Sequence, residues 1–152
     1  MIAHVVPTKG TEYDWVVAQL ARDVKKFGHY GKLILRSDSE AAIDALLTEV
    51  AELRGEVRTF VEHSPYGDSK ANGIAERGVQ AIEERVRIMK LSLESNLGHS
   101  ISVHHPAFAW LVEHAVDCYN KCSVGEDGRT PYERLRGKKW GGEMFEFGAV
   151  VR

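Results

Sequence analysis

Two carboxylates lie where separate elements of the chain can bring them together. Asp38 follows the short apolar run Leu33-Ile34-Leu35, and Glu76 lies near the start of a long stretch with helical periodicity. An Asp that ends a strand and a Glu that opens a helix can converge on one cation in the crevice beside the strand ends. Hard cations such as Mg²⁺ are bound through carboxylate oxygens. The pair therefore indicates a divalent-cation site.

The elements that must hold Asp38 alternate between helices and strands. Apolar residues at three- and four-residue steps predict a helix over about residues 12–27. The run Leu33-Ile34-Leu35 predicts a buried strand, Ser39 caps a second helix that ends at Gly55, and residues 57–61 form the next strand. Strands and helices of these lengths predict an α/β fold with parallel strands and helices packed on the sheet.

A long helix is predicted to follow, with one continuous apolar stripe that faces the core. Its members are Ala75, Val79, Ile82, Val86, Met89, Leu93 and Leu97. Glu76 lies about 100° round the helix from Ala75, beside the core, which suits a metal ligand. The alternative is that a carboxylate in the first turn only stabilises the helix dipole.

A last long helix is predicted over about residues 107–122. Its predicted core face is formed by Trp110, Leu111, Ala115 and Cys118. Cys118 and Cys122, the only cysteines, lie one turn apart with His114 on the same face, a poor geometry for a disulfide. Core packing is favoured over zinc binding, because one helix rarely supplies three ligands of a tetrahedron.

Length and composition are those of one folded domain. The chain has 152 residues, of which 43% are hydrophobic and 28% charged, and this excludes disordered and collagen-like classes. Neither a basic leader with an apolar core nor an apolar run of membrane-spanning length is evident. We therefore expect an intracellular protein, in the nucleus or cytoplasm, with no membrane partner.

The charge distribution points to one local basic segment. The net charge is −2, which is unfavourable for binding nucleic acid through the whole surface. Between residues 129 and 139, however, Glu133 is outnumbered by five bases, which are Arg129, Arg134, Arg136, Lys138 and Lys139. This segment is a candidate for phosphate contacts, and the alternative is a solvated surface segment.

Several motifs, taken together, resemble the catalytic core of retroviral and retrotransposon integrases. Asp38, the loop Ser64–Lys70 and the Asn-Gly-x-x-Glu-Arg motif at residues 72–77 occur in that family's order. Residues 128–133, with their Thr-Pro-Tyr-Glu motif, resemble the segment that closes the core in copia-like polyproteins. Residues 2–7 look like the family's third strand, and Phe147-Gly148 like the start of a strand beyond the core.

The resemblance implies an RNase H-like integrase core that lacks its first two strands, with a long helix after the third acid position. Residues 1–137 would be the partial catalytic core and residues 138–152 the start of a C-terminal extension. Because the family places two strands between its third and fourth, residues 2–6 are expected to pair poorly, or in parallel with Leu33-Ile34-Leu35.

The resemblance also implies a function in DNA integration, by metal-dependent phosphodiester cleavage and strand transfer. Asp38 and Glu76 would be the second and third acids of an Asp-Asp-Glu triad, both catalytic, and ligands of Mg²⁺ or Mn²⁺. DNA contacts would come from Lys70, Asn72, Arg134, Arg136, Lys138 and Lys139. The first Asp has no counterpart, so we expect an N-terminally truncated core that binds the cation weakly, if at all, and is inactive alone.

Two other interpretations stay open at this point. One is a non-catalytic interaction module derived from an integrase, for which a homodimer is a possible assembly. The other is a different RNase H-like nuclease or transposase.

Overall fold

The computed structural model describes residues 1–37, 40–55, 59–63 and 73–149 of the chain. The chain divides into two compact units, Val6–Glu76 and a second unit formed by Met1–Val5 with Arg77–Arg152. The fold is mixed α/β, as predicted. The predicted boundary at residue 137 coincides with the end of the last helix, and its meaning as a domain boundary stays a prediction.

The unit Val6–Glu76 contains two helices and a two-stranded sheet. In chain order these are α1 (Asp14–Lys26), β1 (Leu33–Ser37), α2 (Ala41–Arg54) and β2 (Thr59–His63). The two strands pair in parallel, in a register that runs from Leu33 opposite Thr59 to Ser37 opposite His63. The predicted parallel β-α-β unit is therefore confirmed. Gly55 ends α2 with φ at 93°, a left-handed conformation that suits glycine.

The core of this unit lies between the helices and one face of the sheet. Val17 and Ala21 of α1 pack with Val50 of α2, and Leu35 of β1 contacts this cluster. The full burial of a side chain such as Val50 contributes about 1.5–3 kcal/mol to folding. The helical apolar stripes predicted from the sequence therefore form the contacts that hold the unit together.

The prediction of a fully buried β1 is wrong, because burial alternates along the strand. Ile34 is 55% exposed and lies opposite Phe60, which is 52% exposed. The next pair on that face, Arg36 and Glu62, forms an ion pair of 3.0 Å. An apolar run does not reveal whether one or both faces of a strand are covered, and among the described residues only one face of this pair is covered.

The expected strand over residues 2–6 is also wrong, since those residues form neither a helix nor a strand. Side-chain contacts hold the segment instead. The Met1 amino group donates to Asn120 Oδ1 at 2.7 Å, and Asn120 Nδ2 donates to the Met1 carbonyl at 2.8 Å. Among the described residues, the only strand that pairs with β1 is β2, so the parallel pairing considered for residues 2–6 does not form.

The second unit is helical. It contains most of α3 (Gly73–Leu97), then α4 (Ala107–Cys122) and α5 (Pro131–Arg136). The bounds of α4 match the predicted ones. The apolar stripe of α3 is buried at Ile82 and becomes exposed toward its ends at Val79 and Leu97.

The predicted core face of α4 is right for two residues and wrong for one. Leu111 is 2% exposed and Ala115 is fully buried, whereas Trp110 is 72% exposed. One residue along a helix corresponds to a rotation of 100°, which carries Trp110 off the face centred on Leu111 and Ala115. Val116 completes the buried face.

The chain beyond α5 contains no strand among the described residues. Phe147 and Gly148 lie in a turn, with Gly148 at φ 85°, and residues 150–152, into which the expected strand would continue, lie outside the described residues. Within the described parts of the chain, no helix combines the length and the apolar character needed to cross a membrane.

Candidate functional site

Three of the predicted site residues, Asp38, Lys70 and Asn72, lie outside the described residues. Their predicted roles, and the convergence of Asp38 with Glu76, stay predictions. The structure does fix what precedes Asp38. Strand β1 ends at Ser37, so Asp38 directly follows the carboxyl end of a parallel strand.

Glu76 lies in the first turn of α3 and is exposed. No hydrogen bond or ion pair joins its carboxylate to another described residue. The helix dipole favours a negative charge at this position. Neither oxygen thus has a partner among the described residues, and carboxylate oxygens suit Mg²⁺ or Mn²⁺.

Glu40 is a further acid close to Asp38 in the sequence. It is the N-cap residue of α2, and both of its carboxylate oxygens accept hydrogen bonds from Lys9 Nζ, at 3.0 and 3.1 Å. The predicted cap, Ser39, lies outside the described residues. Glu40 is thus compensated by a lysine at the start of the helix, where a negative charge is also favoured by the dipole.

A polar cluster occupies the carboxyl ends of β1 and β2. Ser37 and His63 are the last residues of the two strands and lie opposite each other in the register. The Ser37 hydroxyl donates to Asp44 Oδ1 at 2.7 Å, and His63 Nδ1 lies 3.2 Å from the same oxygen. Asp44 is in the first turn of α2, so one carboxylate connects both strands and the helix between them.

No metal centre is evident in the described parts of the chain, where no three His, Cys, Asp or Glu side chains converge. His114 Nε2 lies 3.4 Å from Cys118 Sγ, while Cys122 is exposed. Burial raises the pKa of the Cys118 thiol and so disfavours the thiolate that binds zinc. This supports a packing role for Cys118.

The basic segment contains one arginine that is already paired. Arg134 donates from Nε to Asp127 Oδ2 at 3.0 Å and from Nη2 to Asp127 Oδ1 at 2.5 Å. This bidentate hydrogen bond, together with the hydrogen bond from the Arg129 amide, lowers the pKa of Asp127 to about 2. The same contact raises the pKa of Arg134. The charge of Arg134 is therefore compensated within the protein.

The turn that precedes α5 explains this pairing. The Gly128 amide donates to the Gly125 carbonyl and the Gly125 amide to the Arg129 carbonyl, each at 3.0 Å. A side chain at Gly125 would collide with the Arg134 guanidinium, and Gly128 has φ at 74°. The two glycines thus allow a tight turn that places Asp127 against Arg134.

The Thr-Pro-Tyr-Glu motif forms the start of α5. Thr130 Oγ1 accepts from the Glu133 amide at 3.1 Å, and the Glu133 carboxylate accepts from the Thr130 amide at 2.9 Å. Pro131 occupies the first helical turn, and Gly137 ends the helix in the left-handed conformation. The motif is therefore a capping box with a proline start signal, and with the glycine stop signal it stabilises a helix of only six residues.

Three of the predicted contact residues have no side-chain partner among the described residues, and the same holds for Arg129. Arg136, Lys138 and Lys139 are exposed, and none forms a hydrogen bond or ion pair with another described residue. The chain around them is anchored by Trp140, whose ring lies 5.4 Å from that of Tyr132 and 3.9 Å from Lys121 Nζ. The three positive charges of Arg136, Lys138 and Lys139 therefore lie on an anchored segment and have no anionic partner among the described residues.

Two features of this geometry were missed from the sequence. Asp127 pairs with Arg134 across a turn, and the signal for it was Gly125-Glu126-Asp127-Gly128, a sequence typical of turns. The second feature is Asp44, which lies in the first turn of α2, five residues beyond its predicted cap Ser39, and contacts the strand ends. Finding it required the register of β1 and β2.

Comparison with known proteins adds no family to these observations. A scan against models of known protein families gives no match, and a search of curated proteins gives none either. The resemblance to integrases therefore rests on the residues and motifs given above.

Proposed function

We propose that the chain is an RNase H-like integrase core of retrotransposon origin, which binds nucleic acid and, weakly, a divalent cation. The observation that supports this most is the order of elements around the two acids. Asp38 directly follows the first of two parallel strands, and Glu76 lies in the first turn of the long helix that follows the second strand. The proposed roles of both acids rest on their positions at the ends of elements, and not on the apolar pattern that predicts the core.

The chemistry of such a site is phosphodiester cleavage and strand transfer. Mg²⁺ or Mn²⁺ neutralises charge on the entering and leaving oxygens, and it is bound through carboxylates. In this chain Asp38 and Glu76 are the acids that match the family's triad. Two carboxylates in place of three bind the cation weakly and leave the charge neutralisation incomplete. The isolated chain is therefore expected not to join DNA strands.

DNA contact is proposed for Arg136, Lys138 and Lys139, with Lys70 and Asn72 as further candidates from the resemblance. The three bases are exposed and unpaired among the described residues, whereas Arg134 is bound to Asp127. Arg134 accordingly has a smaller role in this proposal than its neighbours. With a net charge of −2, the protein as a whole repels DNA, so binding is weak and strongly dependent on salt.

A charge-matched pair of variants tests the DNA contact. One variant replaces Arg136, Lys138 and Lys139 by alanine, and the control replaces Lys25, Lys32 and Arg87, which are also exposed. Both change the net charge by the same amount. Binding of a short DNA duplex is measured by fluorescence anisotropy between about 20 and 150 mM salt.

We expect the first variant to lose most of the affinity and the control to retain it. The slope of log K against log salt should fall by about 0.9 for each phosphate contact removed. Equal losses in the two variants would mean that only overall charge matters and would contradict a contact surface at α5.

A non-catalytic interaction module is the second candidate, and the exposed apolar residues of the helical unit favour it. Ile88 and Leu91 of α3 and Trp110 of α4 are all exposed. Soluble monomers rarely expose large contiguous apolar surfaces, so such residues are candidates for contacts with a second copy. Sedimentation of the wild-type chain and of Leu91→Glu distinguishes the cases, because a homodimer would dissociate in the variant. A wild-type monomer at high concentration would rule out this assembly.

A further inference from the structure

Residues 1–5 belong to the helical unit, although the chain that follows them from Val6 belongs to the other unit. The segment forms neither a helix nor a strand. Its first four residues are half-buried, and Val5 is 44% exposed. The proposed function assigns no role to this segment, so its contacts are a separate feature of the molecule.

The first anchor of the segment is a contact with the main chain of residue 1. Met1 N donates to Asn120 Oδ1 at 2.7 Å, and Asn120 Nδ2 donates to the Met1 carbonyl at 2.8 Å. One side-chain amide therefore pairs with both the nitrogen and the carbonyl of a single residue, as a neighbouring β-strand does. Neither hydrogen bond involves the side chain of residue 1.

The second anchor is a contact with the side chain of residue 4. His4 Nδ1 lies 3.3 Å from Glu113 Oε1. Asn120 and Glu113 lie two turns apart on α4, which is roughly 10 Å along the helix axis. Three steps of an extended chain span about the same distance. The two anchors therefore match an extended segment that runs antiparallel to α4.

The surface under the segment is held in place by contacts that do not involve the segment. Arg85 of α3 donates from Nη2 to the hydroxyl of Ser123, the C-cap of α4, at 2.6 Å, and its guanidinium lies 4.9 Å from the Tyr119 ring. On α3, the Met1 Cε atom lies 2.8 Å from the position that a Cβ at Gly78 would occupy. Both helices thus contribute to one surface, formed by Gly78, Glu113 and Asn120.

The contacts of the segment are few enough to be reversible. Ile2, Ala3 and Val5 form no main-chain hydrogen bond with another described residue. We propose that Gly78, Glu113 and Asn120 form a docking site for an extended peptide, which residues 1–5 occupy as a releasable strap. The peptide that fits this site has the chemistry of the strap, with an apolar first residue and a basic or imidazole side chain three residues later.

The strap and a free peptide with its sequence compete for the same site. A tethered segment has an effective concentration in the millimolar range, so the site is mostly closed in the wild-type chain. A free peptide then binds with an affinity reduced by the fraction of open sites. This inference goes beyond the proposed function, because it uses none of the acids or bases assigned to DNA or metal binding.

The full-length variant His4→Glu tests the competition. It places a carboxylate against Glu113 and so weakens the strap, while the docking site stays intact. The matched control is His29→Glu, which changes an exposed histidine of the other unit by the same charge. The probe is a synthetic peptide with the sequence of residues 1–6, titrated into each protein. Its binding is followed by NMR at the Gly78 amide and the Asn120 side-chain amide.

We expect the peptide to half-saturate His4→Glu at a concentration about fivefold lower than it needs for the wild-type chain and for His29→Glu, since about one contact of the strap is lost. In His4→Glu, the further change Asn120→Leu keeps a similar size and removes two hydrogen bonds. It should weaken peptide binding by roughly twentyfold, whereas Asn96→Leu on α3 should not. His4→Ala serves if His4→Glu fails to fold.

Equal peptide affinity in the wild-type and His4→Glu chains would mean that residues 1–5 do not compete for the site, and would overturn the strap. Peptide binding to His4→Glu that survives Asn120→Leu would locate the peptide elsewhere and overturn the docking site. Absence of binding to His4→Glu at millimolar peptide would also overturn the docking site and would leave the proposed DNA and metal contacts unaffected.

Discussion

In two regions of the molecule an aspartate side chain connects separate segments, and the two aspartates differ in their partners. Asp127 binds Arg134 through both oxygens and also accepts from the Arg129 amide, so its charge is compensated where it stands. Asp44 Oδ1 accepts from the Ser37 hydroxyl and lies 3.2 Å from His63 Nδ1, so one oxygen contacts both strand ends. The first arrangement stabilises a turn before a short helix, whereas the second connects the ends of two strands with the helix between them.

The comparison separates charges that hold structure from charges that are available for function. Counted along the sequence, Arg134 is equivalent to Arg136, Lys138 and Lys139. In the structure its charge is compensated, while those of the other three are not. The same distinction applies to acids, since Glu40 is bound to Lys9 and Glu76 has no partner among the described residues.

The largest expected effect follows from Arg134→Ala. Loss of the guanidinium should raise the Asp127 pKa from about 2 toward its ordinary value of 3.8, which is well over tenfold in proton affinity. Titration of the Asp127 carboxyl carbon by NMR measures this. Arg136→Ala is the control, because Arg136 does not contact Asp127 and should leave the titration unchanged. An unchanged Asp127 pKa in Arg134→Ala would mean that the pair is not formed in solution.

The same pKa shift fixes the direction of a pH effect in the wild-type protein. Since the folded pKa lies below the unfolded one, the pair stabilises the turn above about pH 4, and that stabilisation is lost as the pH falls toward 2. Amide signals of residues 125–129 should therefore change in this pH window. In Arg134→Ala the change should move to higher pH, toward the ordinary value of 3.8.

A smaller effect is expected from Thr130→Ala, which removes one half of the capping box of α5. Loss of such a cap costs about 1 kcal/mol, or roughly fivefold in the opening equilibrium of the helix. Hydrogen exchange of the Glu133 and Arg134 amides measures that opening. Thr130→Ser retains the hydroxyl and should exchange at nearly the wild-type rate. Equal exchange in the two variants would show that the hydroxyl does not stabilise α5.

The helices of this fold were predictable because their periodicity is local. The steps of three and four residues gave α1, α2 and α4 within a few residues, and Gly55 marked the end of α2. The parallel pairing of β1 and β2 followed from the helix between them. The apolar pattern does not indicate whether one or both faces of a strand are covered. Ile34 was therefore expected to be buried, and it is exposed.

The remaining differences arise from contacts between residues far apart in the sequence. Residues 2–6 have the composition of a strand, but Met1 is bound to Asn120, 119 residues away. Asp44 meets His63 only because the strands pair in the observed register. For the candidate site, the sequence alone indicated Glu76 and the unpaired bases, whereas the pairing of Arg134 depended on the fold of a turn.

The most direct test of the proposed function is a Mn²⁺ titration of the wild-type chain and of Asp38→Asn and Glu76→Gln. Unbound Mn²⁺ is measured by electron paramagnetic resonance, and the matched controls are Asp14→Asn and Glu83→Gln, both of which change exposed acids. We expect one weak site, at least about tenfold weaker in each of the first two variants and unchanged in the controls. Wild-type affinity in both Asp38→Asn and Glu76→Gln would contradict the proposed site.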